Sequence, residues 1–128
     1  MISQRLRAPV VTLALALTCI PATIATVHAR TVYDGSWSVL IVTNEGSCDR
    51  AYRYGVEIAN GMVIYDGGMV TMQGKVSPSG AVRVTVQAGS QFANGSGRLT
   101  KTRGSGIWKG QGMSGSCAGV WEAERRPS

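Results

Sequence analysis

From Ser36 onward the apolar residues of this chain alternate with polar ones, and that period of two constrains the fold more than any other feature. Val82, Val84 and Val86 stand against Arg83, Thr85 and Gln87. Trp37, Val39 and Ile41 share one face of an earlier run, and Tyr52, Tyr54, Val56 and Ile58 oppose Arg53 and Glu57 in the next. Successive side chains of a strand point to opposite faces, so a period of two means half-buried β-structure, whereas a helix would repeat its apolar positions every three or four residues. Eight such runs can be marked, near residues 36–43, 49–59, 62–65, 70–76, 81–88, 92–100, 106–110 and 117–124. Turn residues separate them at the spacing of an antiparallel sandwich or barrel, about 8–12 residues. Asn60-Gly61 is the strongest hairpin signal, because both central residues of a type I′ turn need positive φ.

Eight short antiparallel strands with short connections predict an all-β, up-and-down barrel, since closure removes the exposed edges of an open meander. The later runs add a second pattern. Ala93, Gly95 and Gly97 share a face, as do Gly106, Trp108 and Gly110, and then Gly119, Trp121 and Ala123. All 17 glycines of the chain lie beyond residue 29. Large rings beside glycines suit a tightly coiled sheet in which a side chain lies across its neighbour's backbone.

Ahead of the barrel stands a different kind of sequence. Arg5 and Arg7 precede an apolar run from Val10 to Ile20, Pro21 follows, and Val27-His28-Ala29 closes the stretch before Arg30. This is the layout of a cleavable secretory signal, too short in its apolar part to span a bilayer. The expected organisation is therefore a helical signal peptide over residues 1–29 and a single barrel domain over 30–128, with no membrane span in the mature chain. Periplasmic or secreted localisation in a Gram-negative bacterium follows from it.

Removing residues 1–29 leaves 99 residues, two cysteines and no histidine. In an oxidising compartment Cys48 and Cys117 are expected to form a disulfide. In an eight-stranded meander both begin strands at the same end, but those strands flank the first one and stand about 9–10 Å apart. A disulfide needs Cα atoms within about 7 Å, so one cysteine must sit on a loop bent over the barrel mouth.

The losses also bound the chemistry. Without imidazole or free thiol, Ser–His–Asp and Cys–His catalysis and the common zinc sites are excluded from the mature chain. No metal site and no cofactor are expected; haem ligation through histidine is excluded, leaving only Met69, Met72 or tyrosine as ligands. The seven acids, Asp34, Glu45, Asp49, Glu57, Asp66, Glu122 and Glu124, sit in turns or alternate with apolar strand residues, a solvated-surface pattern. The chain is expected not to be an enzyme. Eleven basic residues against seven acidic ones give the mature chain a net charge of +4. The basic residues are spread along strand faces, apart from Arg98, Lys101, Arg103 and Lys109 and the terminal Arg125-Arg126, and nucleic acid is not an expected partner.

Four segments carry a resemblance: Tyr33-Asp34-Gly35-Ser36-Trp37-Ser38-Val39, Cys48-Asp49-Arg50-Ala51-Tyr52-Arg53-Tyr54, Gly104-Ser105-Gly106-Ile107-Trp108, and Cys117 through Arg125. Together they resemble a group of small exported bacterial proteins, sometimes labelled haem-utilisation or adhesion exoproteins. The Gly35-Ser36-Trp37 start and Arg125 near the end are also similar to the ends of lipocalin-type and avidin-type barrels. That likeness implies a calycin-like barrel in which an early Trp and a late Arg meet at a closed base. Exported barrel inhibitors of proteases or lysozymes share the early Gly-x-Trp and the disulfide.

Binding, not catalysis, is the function these features point to. Trp37, Tyr52, Tyr54, Trp108 and Trp121 are the candidate residues, either as core or as the lining of a ligand site. Eight strands leave an interior only just wide enough for side chains, so the first expectation is a packed barrel that meets a cell-envelope partner through its loops and outer face. The alternatives are a small apolar-ligand carrier using the barrel mouth, or a periplasmic enzyme inhibitor.

The exported protein is expected to begin at Arg30 and to contain no free thiol. Intact mass with and without reductant checks both points, and a species that retains residues 1–29 or alkylates at two native cysteines contradicts them.

Overall fold

The computed structural model describes residues 8–21 and 30–127. Eight strands follow one another in sequence: β1 (Gly35–Glu45), β2 (Ala51–Ala59), β3 (Met62–Gly67), β4 (Val70–Val76), β5 (Ala81–Ala88), β6 (Gln91–Leu99), β7 (Arg103–Gly112) and β8 (Gly115–Arg125). Each pairs antiparallel with the next, and β8 pairs with β1 to close the barrel. Among the described residues there is no helix. Residues 8–21 hold no regular structure and expose Val10, Leu13, Leu15, Leu17 and Ile20. The remaining parts of the expected signal helix, residues 1–7 and 22–29, lie outside the described residues.

All eight expected strands are present, but their lengths shift. β7 starts at Arg103, not Gly106, because Arg103 to Ser105 pair with Glu122 to Glu124 of β8 and the ladder holds a Gly-Ser segment that looks like a turn in isolation. β2 starts at Ala51, with Cys48 and Asp49 left in the loop before it. Asn60 and Gly61 take φ of 54° and 76°, the left-handed pair that a two-residue hairpin needs.

The segment before β1 and the end of β8 close one mouth of the barrel. Trp37 is 1 % exposed and donates its indole N–H to the Tyr33 carbonyl at 2.8 Å. The Arg125 guanidinium lies 5.1 Å from the Trp37 ring centroid and donates to the carbonyls of Val32 and Asp34, both at 2.8 Å. The Asp34 carboxylate in turn receives the amides of Asn60 and Gly61 and the Thr31 hydroxyl. Partial burial opposes its ionisation, but these bonds outweigh that and hold its pKa at about 2. The segment before β1 is thereby fastened to the β2–β3 hairpin, and Val56, Ile58, Val63, Val76, Val82 and Leu99 pack around it as the buried core.

The inner faces of β6, β7 and β8 show why the glycines lie where they do. A Cβ on Gly97 would come within 2.5 Å of Trp121 Cζ2, one on Gly106 within 2.5 Å of Trp121 Nε1, and one on Gly104 within 3.3 Å of Trp121 Cζ3. The Trp121 indole therefore lies flat across three glycines of the wall and donates to the Ser96 carbonyl at 3.2 Å. Trp108 repeats the arrangement: its Nε1 would be 2.9 Å from a Cβ on Gly119, and it donates to the Val42 carbonyl at 3.0 Å.

Gly106→Ala is expected to destabilise the domain by about 1–3 kcal/mol, because the new methyl meets the Ser96 carbonyl and the Trp121 ring, and overpacking of this kind costs that much. Gly95→Ala is the control. Its Cβ would meet nothing nearer than 3.7 Å, so a denaturant midpoint close to wild type is expected. Equal costs at the two positions would contradict the account of the glycine wall.

Candidate functional site

Rings lying flat on the wall leave the lumen unfilled. The barrel holds a cavity of about 720 Å³ that runs from the Trp37 floor to the open mouth. Trp108 and Trp121 lie against glycines of the wall, and Val39 and Ile41 of the adjoining β1 and Val84 and Val86 of β5 present aliphatic side chains to the same space. A cavity of this size falls in the range of small-molecule sites, roughly 300–1,000 Å³, and its mostly apolar lining matches theirs.

All five aromatic residues singled out in the sequence line it. Trp37 forms the floor. Trp108 and Trp121 lie on the β7–β8 side, and Tyr52 and Tyr54 stand on β2. The tyrosines continue into a small aromatic wall: the Tyr52 and Tyr54 ring centroids are 6.0 Å apart, and Tyr54 meets Tyr65 of β3 edge-on at 5.5 Å. Such edge-on and offset contacts fix ring orientation.

The two tyrosine hydroxyls on β2 are held protonated. The Tyr52 hydroxyl donates to the Asp49 carboxylate, and that bond first, then burial and the negative charge nearby, raises its pKa. Burial, followed by the neighbouring Tyr65, raises that of Tyr54. Both remain neutral phenols at ordinary pH.

The mouth is shaped by the disulfide. Cys48 sits in the loop between β1 and β2 while Cys117 sits in β8, with Cα atoms 6.1 Å apart. This is the loop-over-mouth arrangement that the strand spacing demanded. The Cys48 amide donates to Cys117 Sγ at 3.1 Å, and the hydroxyls of Ser47 and Ser114 meet at 2.5 Å. The β1–β2 loop is thus fastened across the rim to the β7–β8 turn. Gln91, Phe92 and Met113 complete the rim, with Met113 91 % exposed.

Several lining residues escaped the sequence reading. The aliphatic positions were legible as an inward face but not as the wall of a void. Asp49 looked like one more surface acid. Its neighbour Cys48 was the available signal, since a cysteine on a loop bent over the mouth takes the next residue there with it. Among the described residues no group of three or more His, Cys, Asp or Glu could hold a metal ion.

No known family model, curated protein or solved structure matches this chain.

Proposed function

We propose that the mature chain, residues 30–128, is an exported, non-catalytic carrier that holds a small apolar ligand in its lumen. The observation that carries this reading is the cavity of about 720 Å³, floored by Trp37 and walled by Val39, Ile41, Val84, Val86 and Trp108. An apolar ligand entering it exchanges water contact for apolar contact, gaining about 25 cal/mol for each Å² removed from water. The disulfide and the indole-to-carbonyl bonds hold the wall before any ligand arrives, which lowers the ordering cost of binding. An open lumen of this kind favours the carrier over an interaction protein that works through its loops and outer face.

Export is supported by the signal-like order of residues 1–29 and by the exposure of Val10, Leu13, Leu15 and Leu17, an apolar stretch the barrel does not cover. A long uncovered apolar segment is a liability in a mature soluble protein and suits one that is removed. Periplasmic or extracellular location agrees with the Cys48–Cys117 bond. The non-catalytic reading rests on the lack of histidine and free thiol after cleavage and on a lumen in which, among the described residues, Asp49 at the rim is the one carboxylate.

Purified mature protein is expected to bind the neutral fluorescent probe N-phenylnaphthylamine saturably at one site. Val86→Trp places an indole in the lumen and should weaken that binding at least tenfold, with a melting temperature close to wild type. Absence of saturable binding, or binding that Val86→Trp leaves unchanged, contradicts the carrier.

A further inference from the structure

Charge is distributed unevenly around this basic protein, and the distribution bears on which apolar molecule the lumen accepts. This inference rests on the carrier reading and names the chemistry of its ligand. Arg125 lies at the closed base, and Lys101 in the β6–β7 connection and Arg103 at the start of β7 are at that same end. Lys75, Arg83 and Lys109 alternate with inward residues of β4, β5 and β7 and so face outward. Among the described residues no Lys or Arg lines the cavity; Arg50 is exposed on the mouth loop without contributing to the lining. The charged residue among the described ones that does line it is Asp49.

Asp49 is held in place. Its carbonyl accepts the Thr43 hydroxyl at 2.6 Å, and its carboxylate accepts the Tyr52 hydroxyl through Oδ2. Oδ1 makes no hydrogen bond to a described residue. Beside it the Tyr52 ring, 43 % exposed, and the Tyr54 ring stand 6.0 Å apart between centroids. A carboxylate bonded to the hydroxyl of one phenol ring, with a second ring beside the first, is the chemistry that receives an ammonium group, by charge pairing and by attraction to the rings' negative faces. For a carboxylate ligand Asp49 offers repulsion, and the described lining of the cavity offers no cation to pair with.

We propose that the lumen selects a hydrophobic amine, with the apolar body buried between Trp108 and the valine wall and the ammonium held at the mouth by Asp49, Tyr52 and Tyr54. The rim is partly solvated, so the preference is modest: an amine is favoured about tenfold over its neutral counterpart at low ionic strength, from the combined size of an exposed ion pair and an exposed cation–π contact.

The test is competition against N-phenylnaphthylamine by three ligands that share a naphthalene body: naphthylethylammonium, naphthylethanol and naphthylacetate. On the mature protein the ammonium should displace the probe about tenfold more tightly than the alcohol, with the acetate weakest, and added salt should narrow the gap. Asp49→Asn, on an exposed loop, should cut the ammonium's advantage over the alcohol severalfold, to what the tyrosine rings alone supply. Equal affinities for the three, tightest binding by the acetate, or an ammonium preference undiminished by Asp49→Asn would each overturn the selection of amines and leave the carrier standing. A protein that binds no probe at all removes the carrier and this selection with it.

Discussion

Two indoles laid flat on a strand backbone govern the rest of this molecule. A tryptophan side chain pointing inward from a small barrel would ordinarily fill it. Trp121 instead spreads across Gly97, Gly104 and Gly106, and Trp108 across Gly119, each ring anchored by its N–H to a strand carbonyl. Every one of these glycines is a place where a methyl group would strike the ring or the adjacent strand. The cost of so many glycines in strands is conformational entropy, roughly 0.5–1 kcal/mol each against alanine. What the arrangement yields is a wall thin enough to leave about 720 Å³ of lumen inside eight strands.

A hollow shell has less apolar contact to hold it than a filled one, and the structure compensates at its two ends. At the base, Trp37 plugs the floor, Arg125 stacks on it and ties down the segment before β1, and the Asp34 carboxylate fastens that segment to the β2–β3 hairpin. At the mouth the Cys48–Cys117 bond closes a span of 69 residues. In the chain-entropy picture a loop of that length contributes about 4 kcal/mol by restricting the unfolded chain. The ligand site thus lies between two clamps, with a rigid floor and a rim that the β1–β2 loop cannot leave.

Much of the architecture was legible in the residues. The period-two alternation marked all eight strands, and Asn60-Gly61 turned as its backbone preferences require. Geometry alone placed one cysteine on a mouth loop, and the coincidence of rings with glycines pointed to side chains lying across backbone. How much of the interior is filled was not legible, and the reason is physical. Alternation says which face a residue takes, not how far its side chain projects from the wall; Trp108 and Trp121 lie against wall glycines, and Trp121 belongs to the buried core as well. Strand ends such as Arg103 to Ser105 were missed because pairing with β8 overrides a turn-like local sequence. Asp49 was hidden because its role comes from the disulfide beside it, not from any pattern of its own.

The central claim, a lumen kept open by rings lying on the wall, is tested most directly by diffraction from crystals of the mature protein pressurised with xenon. Xenon occupies apolar cavities that have room for it. The account predicts xenon density inside the barrel, bounded by Val39, Val84, Val86 and Trp108, with both indoles flat against their glycines. A lumen without xenon, filled by Trp108, Tyr54 and Met72 turned inward, would contradict it.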